Sequence, residues 1–273
     1  MTSIRDSFDM VVFDWAGTTV DFGSRAPVLA LIEAFAALGV TVSEEEARRD
    51  MGRAKADHVR AMFEQPRIAR AWQDAQGAVP KQAALEQVMA ELQAPMIRLA
   101  AETADLIPGV AAAIACLREQ GVKIASCTGY TREMMQAILP RAASQGYAPD
   151  LVVCAHETPQ GRPSPLMIYK ASAELGVWPL SRVVKVDDAE VGMAEGRNAG
   201  CFTVGVAASG NMAGLTAQAL AELDVDERAA LLSAAAVRLR AAGADLVIDT
   251  VADLLPALQS EAARRAGQRL DAR

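Results

Sequence analysis

Aromatic side chains make up only 4 % of this 273-residue chain, and there is no basic excess, no long apolar run and no paired-cysteine motif. Each shortage removes a class of function. With a net charge of −7 and a pI near 5.0, the chain lacks the cationic surface that phosphodiester backbones and anionic lipid headgroups attract. No apolar stretch approaches the ~18–20 residues that cross a bilayer. The N-terminus passes through Arg5 and Asp6 straight into an apolar strand, which leaves no room for a signal peptide. Cys116, Cys127, Cys154 and Cys201 are far apart, with no Cys-x-x-Cys pair and no histidine cluster. They read as reduced core thiols of a cytoplasmic protein, not as zinc ligands. Neither a Gly-x-x-x-x-Gly-Lys-Ser/Thr loop nor a Gly-x-Gly-x-x-Gly turn after a strand is present, which counts against nucleotide binding. The expected partner is a small molecule, with no nucleic acid and no membrane.

What is present is apolar and alanine-rich, at 52 % hydrophobic residues, a mixture that suits packed helices. Strand-like runs recur at 10–13, 122–126, 151–154, 183–186, 202–206 and 245–248, with helix-like periodicity between them at 110–120, 132–144, 165–175 and 191–199. This alternation predicts an α/β fold with a parallel sheet covered on both faces. Residues from about 26 to 98 break the pattern, being helical without a convincing strand. Ser43–Glu46 fits a capping box, and Pro66, Pro80 and Pro95 punctuate the rest of the segment. The pattern implies a Rossmann-like core of 1–24 and 99–273 with an inserted helical cap of 25–98, the cap lying over the carboxyl edge of the sheet as a lid. The tail from 261 to 273 reads as frayed surface.

Several residues that carry chemistry fall on that edge. The first strand, Met10–Phe13, stops on Asp14, followed by Ala16-Gly17-Thr18-Thr19, a turn with donors suited to a phosphoryl group. The second strand ends near Thr128-Gly129-Tyr130, offering another hydroxyl. Arg162 follows the third strand in Gly161-Arg162-Pro163, where its fork can grip a phosphonate. The fourth strand ends Val186-Asp187-Asp188, two adjacent acids that repel unless a cation intervenes. Asp14, Asp188 and a backbone carbonyl suit Mg²⁺, which takes hard oxygen ligands. Above them, Met51, Lys55, His58, Val59 and Met62 fall within ~100° of one helical face. The chain holds 22 arginines and five lysines, so a generic cation there would more often be arginine. A nucleophilic amine cannot be.

The order of these motifs resembles the haloacid dehalogenase superfamily of phosphoryl-transfer enzymes. Asp14-Trp15-Ala16-Gly17-Thr18-Thr19-Val20-Asp21-Phe22-Gly23, Met51-Gly52-x-x-Lys55-x-Asp57-His58, Thr128–Arg132, Gly161-Arg162-Pro163 and Glu195–Gly200 together are similar to its phosphonoacetaldehyde hydrolase (phosphonatase) family. The resemblance implies hydrolysis of a carbon–phosphorus bond in 2-aminoethylphosphonate breakdown. In it Asp14 is the nucleophile and Lys55 forms an imine with the aldehyde, while His58 or Tyr130 shuttles protons. Gly17, Thr18, Met51, Thr128 and Arg162 bind substrate, and Mg²⁺ rests on Asp14, the carbonyl of Ala16 and Asp188. It also implies a homodimer formed through the cap. Superfamily phosphatases usually carry a second aspartate at the place of Ala16 to protonate an alkoxide. Its absence, together with a lysine able to make an iminium electron sink, suits a carbon leaving group. Many members carry another acid at the place of Gly192, so Asp187 or Glu190 is expected to substitute. The competing readings are a capped phosphatase or phosphomutase acting on a small phosphate ester, and a non-catalytic binding homologue.

Overall fold

The computed structural model describes residues 3–271. After β1 (Met10–Phe13) come five consecutive helices, α1 (Arg25–Ala37), α2 (Glu44–Arg48), α3 (Lys55–Glu64), α4 (Pro66–Gln76) and α5 (Gln82–Glu102). Then come α6 (Val110–Glu119), β2 (Lys123–Cys127), α7 (Arg132–Ser144), β3 (Leu151–Val153), α8 (Leu166–Leu175) and β4 (Val183–Asp187). The chain finishes with α9 (Glu190–Ala199), β5 (Phe202–Val206), α10 (Ala217–Glu222), α11 (Val225–Ala242), β6 (Leu246–Ile248) and α12 (Leu254–Asp271). The six strands are all parallel, in the spatial order β3-β2-β1-β4-β5-β6. This is the expected α/β sheet with helical layers.

Every residue of β1 and β4 is buried, because both sheet faces are covered. Val11 and Phe13 face one side, with Ile124 and Val186, while Met10 and Val12 face the other and pack with Met167, Ile168 and Ala171 of α8. The first cluster runs on through Trp15 and Tyr147 into Leu31, Phe35, Met62, Trp72 and Leu92 of the helical insertion. Burying each such side chain contributes about 1.5–3 kcal/mol relative to exposure, so the insertion is held by the same apolar cluster as the sheet.

The strand order reverses about β1, which has β2 on one side and β4 on the other. Parallel sheets bind ligands in the crevice at the carboxyl ends at such a point. Phe13 is in register with Ser126 and with Val186, so Asp14 emerges level with Cys127 and Asp187.

Three local expectations are corrected. Residues 51–54 are not part of a helix: Gly52 has φ +91°, and α3 begins only at Lys55. Pro95 lies inside α5 and does not end it, and that helix runs on through residue 98 to Glu102. The tail is helical, not frayed, as α12 runs to Asp271, buries Ala262 and stacks Arg265 on Phe8 and Phe202. Residues 272 and 273 of that expectation lie outside the described residues.

Candidate active site

Asp14 directly follows β1, where its N–H donates to the Val186 carbonyl at 3.0 Å. The turn after it is locked by its own atoms. Thr19 Oγ1 donates to the Asp14 carbonyl at 2.9 Å, and Gly17 N–H donates to the carbonyls of Val20 at 2.8 Å and Asp21 at 3.1 Å. Thr18 N–H donates to the Trp15 carbonyl at 3.1 Å. These two amides therefore brace the turn. Thr18 also contributes its hydroxyl, donating to Asp188 Oδ1 at 3.1 Å.

Arg162 is not the surface arginine of a loop. Its side chain is 1 % exposed and reaches under the sheet edge. Nη2 donates to Asp14 Oδ1 at 2.8 Å and to the Cys127 carbonyl, Nε donates to Glu195 Oε2 at 3.0 Å, and Nη1 lies 3.4 Å from Asp187 Oδ2. A second buried cation shares these acids: Lys185 Nζ lies 3.0 Å from Asp187 and 3.2 Å from Glu195. Burial alone would raise the Asp187 pKa, but Arg162 and Lys185 outweigh it and hold the carboxyl low. Neither Lys185 nor the role of Glu195 was anticipated. A lysine in the middle of the apolar run Val183–Asp187 was the signal, since a buried ammonium requires acids around it.

Four buried acids (Asp14, Asp187, Asp188, Glu195) crowd around two buried cations here, Arg162 and Lys185, so the acids outnumber the cations they pair with. Asp188 bears the strain: burial, then Asp187 and Asp14, push its carboxyl well above the usual range. Carboxylate oxygens of Asp14, Asp187 and Asp188 all come within 4.8 Å of one another. An all-oxygen donor set in which acids outnumber their paired cations fits a hard divalent cation. Glu190 takes no part, being paired at the surface with Arg238 at 3.0 Å.

Lys55, at the start of α3, closes the site from above. It lines one small cavity of about 30 Å³ together with Asp14, Ala16, Met51, Thr128, Tyr130, Arg162 and Asp188. This cavity shares Gly52, Thr128, Gly129 and Arg162 with a larger vestibule of about 560 Å³. The Lys55 side chain does not reach out to water. Burial lowers its pKa to about 8, with Asp14 opposing the shift, so at pH 7 about one molecule in ten carries the neutral amine, against about one in a few thousand for an ordinary lysine. Its Nζ stands 5.8 Å from the Tyr130 ring centre, and burial raises that phenol well above its ordinary pKa. His58 does not line the cavity. It sits one turn behind Lys55, fully buried, with Nε2 2.9 Å from the Ala47 carbonyl and Nδ1 without a partner among the described residues. Burial, followed by the Lys55 charge, lowers its pKa to about 3, so it is a neutral imidazole. Thr128 Oγ1 accepts from the Tyr130 N–H at 3.1 Å.

A haloacid dehalogenase-like hydrolase family model matches residues 8–200. A phosphonoacetaldehyde hydrolase of Paraburkholderia phytofirmans is 47 % identical over 94 % of this chain and 96 % of its own. One from Bacillus cereus is 43 % identical over 90 % of this chain and 93 % of its own. The crystal structure of a phosphonoacetaldehyde hydrolase-like protein from Oleispira antarctica superimposes with a TM-score of 0.92, at 39 % identity and 94 % coverage of both chains. These three relatives match nearly end to end at 39–47 % identity, and the chain belongs to the phosphonoacetaldehyde hydrolase family of the haloacid dehalogenase superfamily.

Proposed function

We propose that this chain hydrolyses the carbon–phosphorus bond of phosphonoacetaldehyde, giving acetaldehyde and phosphate, in the breakdown of 2-aminoethylphosphonate. The observation that carries this reading is the pairing, in one cavity, of Asp14 with a buried lysine of pKa about 8 and with Ala16 where an acid would otherwise protonate an alkoxide. Neutral Lys55 condenses with the aldehyde and water leaves. An Asp14 oxygen then attacks phosphorus in line, and the carbon–phosphorus bonding pair moves into the iminium, so carbon departs as an enamine. The enamine takes a proton on carbon and the resulting imine is hydrolysed to acetaldehyde and free Lys55. Water hydrolyses the aspartyl-phosphate to phosphate.

Arg162 and Thr128 meet the phosphonate oxygens, and Met51 keeps the aldehyde end dry. Protons move through Tyr130, which shares the cavity with the amine, or through His58, one turn behind Lys55. Asp14, Asp188 and the Ala16 carbonyl would hold Mg²⁺, which when bound neutralises charge on the nucleophile and the phosphoryl oxygens. Residues 25–98 act as the cap and residues 1–24 and 99–273 as the core. The half-exposed Leu29 and Ile32 of α1 suit a cap-to-cap homodimer in the cytoplasm.

Incubation with Mg²⁺, phosphonoacetaldehyde and borohydride, followed by peptide mass mapping, tests this. A two-carbon reduced adduct on Lys55, absent from Lys55→Arg, is expected together with loss of activity. Phosphate release without any adduct overturns the imine route. Neither adduct nor phosphate overturns the substrate.

A further inference from the structure

The helical insertion meets the sheet edge along a short seam, which Arg25 crosses to the Gly214 carbonyl at 3.2 Å and Arg48 crosses more extensively. Arg48, the last residue of α2, donates from Nη1 to the Gly23 carbonyl at 2.9 Å and to Asn211 Oδ1 at 3.1 Å, and from Nη2 to the Gly214 carbonyl at 3.0 Å. Glu44 lies 3.5 Å from the same guanidinium, so the charge is not left alone. Asn211 belongs to the loop after β5 and holds Arg48 at both ends, because its Nδ2 donates to the Arg48 backbone carbonyl at 3.3 Å. The backbone N–H of Asn211 donates in turn to Asp188 Oδ2 at 2.7 Å. One residue therefore touches both the insertion and the carboxylate cluster.

The route from Arg48 to Lys55 is equally short. Met51 N–H donates back to the Arg48 carbonyl at 3.1 Å. Gly52 then passes so close to the start of α9 that a Cβ would stand 2.7 Å from Val191 and 2.8 Å from Ala189. Lys55 comes next as the first residue of α3.

We propose that the Arg48–Asn211 clasp is the latch that holds the helical insertion down on the sheet edge, which makes Arg48 a positioning residue that keeps Lys55 over Asp14. Without the clasp, the 48–55 segment is held at this seam by packing around Gly52 and, while Arg48 is present, by its bonds to the Gly23 and Gly214 carbonyls. The inference deepens the reading of Lys55 and Asp14 as partners on one substrate, yet its test needs no substrate.

The test is the rate of acylation of Lys55 by an amine reagent across pH 7–11, read by peptide mass mapping, with exposed Lys81 as the internal reference. The groups that face Lys55 are Asp14, Asp188, Arg162 and Tyr130 of the core and His58 and Arg53 of the insertion, and none of them is altered. In the parent protein the limiting rate at high pH should be at least tenfold slower for Lys55 than for Lys81. Arg48→Ala and Asn211→Ala should each raise the Lys55 limit about tenfold and move its midpoint from about 8 toward the ordinary ~10.4. Arg48→Lys, which keeps one donor, should fall between. Arg60→Ala, at an exposed pair with Asp57, should change nothing. Folded Arg48→Ala and Asn211→Ala proteins with the parent Lys55 profile overturn the latch, even where their melting temperatures fall. If Arg48→Ala does not fold, Asn211→Ala decides alone. A shifted Lys55 profile in a protein whose parent releases no phosphate from phosphonoacetaldehyde keeps the latch and removes the substrate.

Discussion

The carboxyl group of Asp187 occupies the space that a side chain at position 192 would enter: a Cβ built on Gly192 would lie 2.1 Å from Asp187 Cγ. The glycine and the acid therefore share one volume, and the strand supplies a charge that α9 cannot. Gly192→Ala should lose about 1–3 kcal/mol through overpacking, and Gly192→Asp more, because it adds a buried like charge. Asp187→Gly alone should lose about 3–5 kcal/mol, since Arg162 and Lys185 lose one of the two acids they share. The double variant Asp187→Gly/Gly192→Asp should recover much of both losses. Urea unfolding of the four proteins measures the coupling, and strictly additive losses would mean that the two positions do not trade places.

Lys185 makes a second stability prediction. Its ammonium is fully buried between Asp187 and Glu195. Lys185→Met removes the cation while leaving both acids in place, so unfolding should become easier by about 3–5 kcal/mol. A loss under about 1 kcal/mol would show that Arg162 alone balances the pair.

The sheet was legible because buried parallel strands are written as unbroken apolar runs, and β5 spans 202–206 as read. Asp14, Arg162 and Asp188 were legible because they follow strand ends, and the register of β1 with β2 and β4 brings those ends together. What escaped depends on tertiary contact. The helical stripe drawn from Met51 ignored Gly52, whose left-handed backbone lies against Ala189 and Val191. Pro95 read as a breaker, yet α5 carries it within 21 packed residues. Asn211 left no trace in the sequence, because its backbone N–H is what reaches Asp188, and a backbone donor has no residue signature.

Metal removal gives a third prediction. Asp188 is held among Asp187 and Asp14, and among the described residues only Thr18 and the Asn211 amide donate to it. Without a divalent cation its negative charge destabilises the fold. Calorimetry should find Asp188→Asn more stable than the parent in EDTA, while Mg²⁺ should raise the melting temperature of the parent and leave that of the variant nearly unchanged. An equal Mg²⁺ response in both proteins would place the cation elsewhere.

The last prediction concerns Lys55 and pH. Its folded pKa, about 8, lies below the ordinary value because burial disfavours the ammonium. Between pH 8 and about 10.4 the unfolded chain binds more protons than the folded one, so this group's contribution to stability rises with pH through that window. Replacing the amine by a thioether of similar length removes the cost of burying charge. Lys55→Met should then be more stable than the parent at pH 7, by up to about 3 kcal/mol, with the gain fading by pH 10.5. Asp14 is the one group that counters burial at Lys55, so Asp14→Asn should lower the Lys55 midpoint further, in the opposite direction to opening the latch. Urea unfolding at three pH values and the acylation profile measure the two effects. A Lys55→Met gain that does not fade with pH would mean that packing, not charge, separates the two proteins.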